Sequence, residues 1–343
     1  MTRALAFIIL TLAISNNLAA DILTDAKAVE RMAPRYPLKE LQSNREGWAV
    51  ISYVIDKDGS VIDPKIDDST GVSSFEKAAL KVVKKWKYEP ATLNGEPVQQ
   101  CRTRAKITFA IRGNTATATP KFVRNFKKIV AFIDANELTE AETHLNDLRE
   151  LSSWNLYEDA WYWYLKSHLD RKKGDYQSTY SSLKRAVAYE GNYLPDNEYL
   201  SSLETLFLLD VHYQHYAEAL RTYEQIKALS DEIDPKTQKT AETIQAQLDS
   251  HLTLKMDIQL DTNGQWHFEL PRRRFSIGSG IESLDSFEAR CDAKRQIVSI
   301  EKKQVWSVPS SWGRCTLYLE GEAGKSVELL LVPNPSSTDS ASL

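Results

Sequence analysis

"KKWKYEPATLNGEPV", Lys84 to Val98, is the stretch on which the reading of this chain turns. Three lysines surround two aromatics, a proline interrupts, and an Asn-Gly pair precedes a second proline. Taken alone, the cluster fits either a nucleic-acid patch or the end of a helix entering a small sheet. The residues upstream decide. Phe75, Ala79, Val82 and Trp86 recur at helical spacing, Ser73 or Ser74 is placed to cap, and Lys77, Lys81, Lys84 and Lys85 fall on the opposite face. The lysines then form a solvated face near a helix C-terminus, where the macrodipole favours cations, and Pro90 ends the run. Trp86 and Tyr88 become core and rim aromatics. Bulk charge agrees, because 43 Lys+Arg against 47 Asp+Glu leave a net charge of −4 and no general attraction for nucleic acid.

Strands are expected on both sides of this helix. Trp48 to Ile55 is rich in β-branched and aromatic residues, Asp56-Lys-Asp-Gly59 breaks it, and Val61 to Ile66 resumes an extended pattern, which predicts a hairpin. After the Asn94-Gly95 turn, Cys101, Thr103, Ala105, Ile107, Phe109 and Ile111 alternate with Arg102, Arg104, Lys106, Thr108 and Arg112. One face of this last strand is expected to be buried and the other to point outward as a cationic surface. A terminal strand also leaves main-chain groups free to pair with an extended peptide, and its basic face would favour an acidic one.

The order of these features is distinctive. A Tyr-Pro at Tyr36-Pro37 is followed by Glu46-Gly47 before a strand, a strand ending in Asp-x-Asp-Gly, Phe75 with Ala78-Ala79, Trp86-Lys-Tyr-x-Pro-Ala91, Asn94-Gly-x-Pro-Val98 and a final Ile107-x-Phe109. This resembles the TonB C-terminal domain over residues 33–112. The resemblance implies a small α/β sheet domain that captures a short peptide from an outer-membrane transporter by strand addition. Carried over position by position, it places partner contacts at Ala33, Pro34, Tyr36 and Pro37, and along the last strand at Arg102, Arg104, Lys106 and Thr108. Members that transduce energy keep an N-terminal membrane helix and a long Pro-rich spacer, and the sequence has no Pro-rich stretch.

Residues 1–20 place Arg3 before an uncharged apolar run, Ala4 to Ile14, and end in Leu18-Ala19-Ala20, the three-part pattern of a secretory signal. Export to the periplasm is the expectation; retention of the segment as an inner-membrane anchor is the alternative, the only route by which the chain would contact a membrane. An oxidising compartment permits disulfides, and Cys291 and Cys315, 24 residues apart in one β-patterned region, are expected to pair, leaving Cys101 buried and free.

Beyond a linker at 113–121, residues 122–250 read as helices throughout. Three segments align with Leu138, Tyr176 and Tyr216 at equivalent places, a period that marks stacked helical hairpins resembling tetratricopeptide repeats. The cluster Trp161-Tyr-Trp-Tyr164 is expected to pack between helices. Residues 251–333 switch to period two in seven short runs and predict an antiparallel β-sandwich, before a disordered tail at 334–343. The fold class is therefore α+β multidomain: a TonB-like sheet domain, an α-helical repeat array and a C-terminal antiparallel β-sandwich.

Catalytic signals fail one by one. Gly321 to Ser326, "GEAGKS", has Leu319 where a phosphate loop needs its first glycine, and no helix pattern follows. Asp56-Lys-Asp58-Gly59 lacks the remaining ligands of a calcium loop, and His212 with His215 lacks a surrounding metal constellation, so both histidines are expected at the surface. No enzyme, cofactor or metal is expected. The expected function is that of a periplasmic TonB-family protein that binds a partner peptide by strand addition in TonB-dependent transport, the partner being an outer-membrane receptor; the alternative is a membrane-anchored energy transducer of the same uptake.

Overall fold

The computed structural model describes residues 23–333 apart from 112, 114–116, 151–153, 262 and 301–303. The signal-like segment 1–20 and the tail 334–343 lie outside the described residues, as does Arg112. In chain order the first unit comprises β1 (Leu23–Thr24), β2 (Lys27–Glu30), α1 (Leu38–Gln42), β3 (Gly47–Ile55), β4 (Val61–Ser69), α2 (Ser73–Val83), β5 (Lys87–Glu89), β6 (Ala91–Leu93), β7 (Glu96–Val98) and β8 (Gln100–Phe109). The strands β4, β3 and β8 form an antiparallel sheet in that order. Period-two alternation sends Ala49, Ile51, Tyr53, Ile55, Ile107 and Phe109 to one face, where Phe75, Ala79, Val82 and Val83 of α2 cover them.

The expected hairpin turns are present. At Gly59, φ is +79° and an added Cβ would lie 1.8 Å from the Tyr88 carbonyl oxygen, so only glycine fits between the β3–β4 turn and β5. Asn94 and Gly95 both have positive φ, as the tight β6–β7 hairpin requires. The ends of α2 differ from expectation. Val72, not a serine, is its N-cap and no side chain caps it; Ser74 Oγ instead donates to Glu40 Oε1 at 2.9 Å. The helix stops at Val83, well before Pro90, because Trp86 turns inward and its Nε1 donates to the Met32 carbonyl at 2.9 Å.

Helices follow as α3 (Pro120–Asp134), α4 (Leu138–Arg149), α5 (Leu156–Lys172), α6 (Tyr176–Val187), α7 (Asp196–His212), α8 (Tyr216–Leu229) and α9 (Pro235–Asp249). The three aligned positions Leu138, Tyr176 and Tyr216 are the first residues of α4, α6 and α8. Each is preceded by the same turn. Asn136, Gly174 and Gln214 take left-handed φ values of 60°, 75° and 61°. In each turn the next amide reaches back six residues inclusive, Glu137 to Phe132, Asp175 to Asp170 and His215 to Asp210, closing a Schellman motif. Trp161, Tyr162 and Trp163 pack into the core shared by α3, α4 and α5.

The last unit comprises β9 (Leu254–Gln259), β10 (Gln265–Glu269), β11 (Arg274–Ile277), β12 (Leu284–Cys291), β13 (Arg295–Ser299), β14 (Val305–Ser307), β15 (Cys315–Gly321) and β16 (Ser326–Val332). They build two four-stranded antiparallel sheets, ordered β10-β15-β12-β13 and β14-β11-β16-β9, whose inner residues share one apolar core. Cys291 and Cys315 lie opposite each other on β12 and β15 and form the expected disulfide, while Cys101 is free and buried. The "GEAGKS" segment is the β15–β16 connection. Arg272 ties this unit to the helices: it is 2% exposed and donates to the carbonyls of Gln247, Leu248 and Ser250 at the end of α9 and to Leu331 on β16.

The three units pack into one body. The second face of the first sheet, expected to be solvated, is covered. Trp48, 1% exposed, packs with Leu156, Ala160 and Tyr189 of the helical unit, and Glu46 N–H donates to the Trp154 carbonyl at 2.7 Å. Lys65 pairs with Glu320 at 2.6 Å, and Arg295 pairs with Asp63, which joins β4 to the C-terminal sheets.

Candidate functional site

Strand β8 lies at an edge of the first sheet, paired with β3 alone. Beyond that ladder, the only bond to the main chain of residues 101–109 among the described residues comes from Tyr36, whose hydroxyl lies 3.5 Å from the Phe109 carbonyl oxygen. The edge expected from the sequence is therefore present and unpaired. Tyr36 is held at its end by edge-to-face contacts with Phe75 and Phe109 and by donation to the Arg45 carbonyl at 2.7 Å. Burial beside Glu46 and Glu40 raises its pKa, so the hydroxyl stays protonated and donates. Pro37 is the N-cap residue before α1, Pro34 is half-buried and Ala33 is exposed. Tyr36 and the C-terminal end of β8 thus come together.

The side chains of β8 differ from expectation. Arg102 does not face solvent: it pairs with Glu269 at 3.0 Å and Asp292 at 3.3 Å and donates to Thr316 Oγ1, all in the C-terminal unit. Arg104 reaches across β3 to pair at 2.7 Å with Asp67, a nearly enclosed carboxylate on β4. Lys106 Nζ donates to the Ala188 carbonyl and sits 4.9 Å from the ring centres of Trp48 and Tyr189. Desolvation lowers its pKa against the opposing pull of Glu190 and Asp68. The cause is simple: alternation separates two faces but does not say what covers the second one. All three cations find partners within the chain, yet only Arg102 is drawn inward; Arg104, Lys106 and Thr108 stay exposed, as the outward face predicts.

A cavity of about 240 Å³ adjoins Lys106 and Thr108. Its far wall comes from the helical unit, through Leu156, Tyr189, Asn192 and Tyr193. The α6–α7 connection reaches it by a left-handed pair, Glu190 at φ 52° and Gly191 at φ 75°. Sequence reading missed this wall. The one local signal was Tyr189-Glu-Gly-Asn-Tyr193, a turn-forming Gly-Asn between two tyrosines in a region read as continuous helix.

The histidines are placed differently from each other. His212 is exposed, whereas His215 is mostly buried beside Tyr180, Asp210 and Thr222. Its Nδ1 lies 3.0 Å from the Tyr180 hydroxyl, which donates to Asp210 at 2.9 Å. Burial pushes Asp210 up to about 7 and His215 down to about 4. Among the described residues no group of three or more His, Cys, Asp or Glu side chains is placed to hold a metal ion.

Comparison with known proteins gives a family match for the first unit. Residues 32–111 match the family model for the Gram-negative bacterial TonB protein C-terminal. The Protein TonB of Vibrio cholerae serotype O1 is 31% identical over 94 residues, 27% of this chain and 38% of that protein. The Protein TonB of Yersinia enterocolitica is 33% identical over 66 residues, 19% of this chain and 26% of that protein. The solution NMR structure of the Pseudomonas aeruginosa TonB C-terminal domain shares 22% identity with a TM-score of 0.24, covering 27% of this chain and 92% of that one. This chain thus spans 38% and 26% of the two curated relatives, and the family match lies over the unit that carries β8 and Tyr36.

Proposed function

We propose that the protein works in the cell envelope as a binding protein of the TonB family, in association with TonB-dependent transport. TonB-family proteins transduce energy for transport and are not enzymes, and the function assigned here is accordingly one of recognition. The module at 32–111 captures an extended peptide of an outer-membrane receptor by adding it to β8. The observation that carries this is selective coverage: the other units occupy the face of the sheet and the side chains of Arg102 and Lys106, yet leave the main-chain edge of β8 unpaired. Strand addition needs that row of donors and acceptors and little else. Ala33, Pro34, Tyr36 and Pro37 flank the incoming chain at one end, and Thr108 meets its side chains. Arg102, Arg104 and Lys106 contribute their main chain, while their side chains hold the edge in place.

The helical unit at 122–250, read as tetratricopeptide-like repeats, and the β-sandwich at 251–333 form a frame that fixes the module's orientation. Secretion by residues 1–20 puts the chain in the periplasm, and no described helix is long and apolar enough to cross a membrane. A mature N-terminus at Asp21 would exclude the anchored transducer.

Site-specific photo-crosslinking tests the docking site. A crosslinker at Thr108 should capture synthetic peptides copied from the periplasmic N-terminal segments of outer-membrane receptors, and one at exposed Lys77 on α2 should not. Equal labelling at both positions, or none at Thr108, removes β8 as the site.

A further inference from the structure

A cavity of about 490 Å³ lies between α9 and the α7–α8 turn, with no β8 residue in its lining. Six of its lining residues form one stripe of α9: Lys236, Lys239, Thr240, Thr243, Ile244 and Gln247. These recur every three or four positions, as one helix face must. The opposite wall carries Val211, His212, Gln214 and Tyr216. No carboxylate lines the cavity. Neither Lys236 nor Lys239 has an ion-pair partner among the described residues, in a chain whose net charge is −4. The acids of α9 are committed elsewhere: Asp234 caps the helix, and Glu242 and Asp249 accept from Gln238 and Gln245 on another stripe.

From this geometry we infer that the α9 cavity is a second binding site, one that takes an extended peptide segment bearing acidic side chains. The cations supply charge complementarity, and the side-chain amides of Gln214 and Gln247, with no internal bond among the described residues, offer both donors and acceptors to a peptide backbone. The hydroxyls of Thr240 and Thr243 donate back to the carbonyls of Lys236 and Lys239, so toward a ligand they only accept, which suits peptide N–H groups and not phosphate. Val211, Tyr216 and Ile244 add an apolar floor. The stripe from 236 to 247 spans about 16 Å at ~1.5 Å per residue, the length of roughly five extended residues. Phosphate recognition favours a forked guanidinium and single-stranded nucleic acid a row of rings; the cavity has no arginine and only Tyr216 and His212 as rings.

The test is fluorescence anisotropy on the whole protein with a labelled hexapeptide alternating Glu and Val. The peptide should bind at low salt, and binding should vanish near 1 M salt, where the screening length is about 3 Å. Lys236→Gln with Lys239→Gln should weaken it by about tenfold, chiefly through encounter rate. Both lysines are exposed, so an unchanged thermal transition will confirm the fold. Thr243→Lys adds a cation to the same wall and should tighten binding. The inference is overturned by equal binding to the double variant, by equal binding of a Lys-Val hexapeptide, or by tripolyphosphate competing as well as the acidic peptide. Crosslinking at Thr108 should be unaffected by these changes, so the two sites stand or fall separately.

Discussion

Replacing Trp48 with alanine measures whether the second face of the TonB-like sheet is an interior. In a free-standing small sheet this position would be solvated, and a surface substitution changes stability by no more than about 0.5 kcal/mol. Here Trp48 is 1% exposed, meets Tyr189 edge-to-face at 6.1 Å between centroids, and lies under the Lys106 ammonium. Truncating a buried tryptophan costs about 3–5 kcal/mol. Of that, the pair with Tyr189 contributes about 0.5–1.5 kcal/mol, separable by a double-mutant cycle with Tyr189→Leu. Urea unfolding followed by circular dichroism and by tryptophan fluorescence gives both numbers. The expected result is a single transition moved to lower urea, with positive coupling between the two positions. A loss below about 1 kcal/mol without coupling would mean that the helices do not rest on this face. The cavity wall beside β8 would then have no support.

Three further outcomes follow from other parts of the molecule. Arg272→Ala leaves several carbonyls at the α9 terminus without their buried donor and should cost about 3–5 kcal/mol, read as a lower urea midpoint; a change within about 0.5 kcal/mol would refute its role in joining the units. The Asp210–His215 pair predicts a pH profile. Asp210, raised from 3.8 to about 7, makes stability fall as pH rises across that window, while His215, lowered from 6.5 to about 4, makes it rise between pH 4 and 6.5. The two trends oppose each other in the native chain, so Asp210→Asn should unmask a stability that climbs from pH 4 to 6.5, and a flat profile in that variant refutes the assignment. Burial pushes the Cys101 thiol up to about 12, so an alkylating reagent at pH 8 should label no cysteine in the folded protein, one after unfolding without reductant, and three after reduction; labelling of the folded protein would contradict its burial.

Local chemistry was legible where local chemistry decides. The Asp56–Gly59 and Asn94–Gly95 turns, the alternation along β8, the Cys291–Cys315 pair and the helix starts at Leu138, Tyr176 and Tyr216 all follow from turn residues and periodicity. The same reasoning erred at Ser73, where a hydroxyl next to a helix start suggested a cap, because Ser74 was drawn instead to Glu40, 34 positions away in the chain. It also put His215 at the surface, since two histidines near a helix end carry no sign of the Tyr180 and Asp210 that enclose one of them.

By itself the sequence determined that a sheet with a terminal strand at β8 exists, and which of that strand's residues share a face. Those properties depend on backbone alternation and on neighbours within a few residues. Only the tertiary structure decided what lies against the second face, Glu269 and Asp292 on Arg102 and Tyr189 and Ala188 on Lys106, while the β8 main chain pairs with β3 and meets only Tyr36 besides among the described residues. A cation on a strand looks the same in sequence whether it meets water or a carboxylate some 190 residues later. The choice is made by desolvation and pairing between distant segments, which no local pattern records.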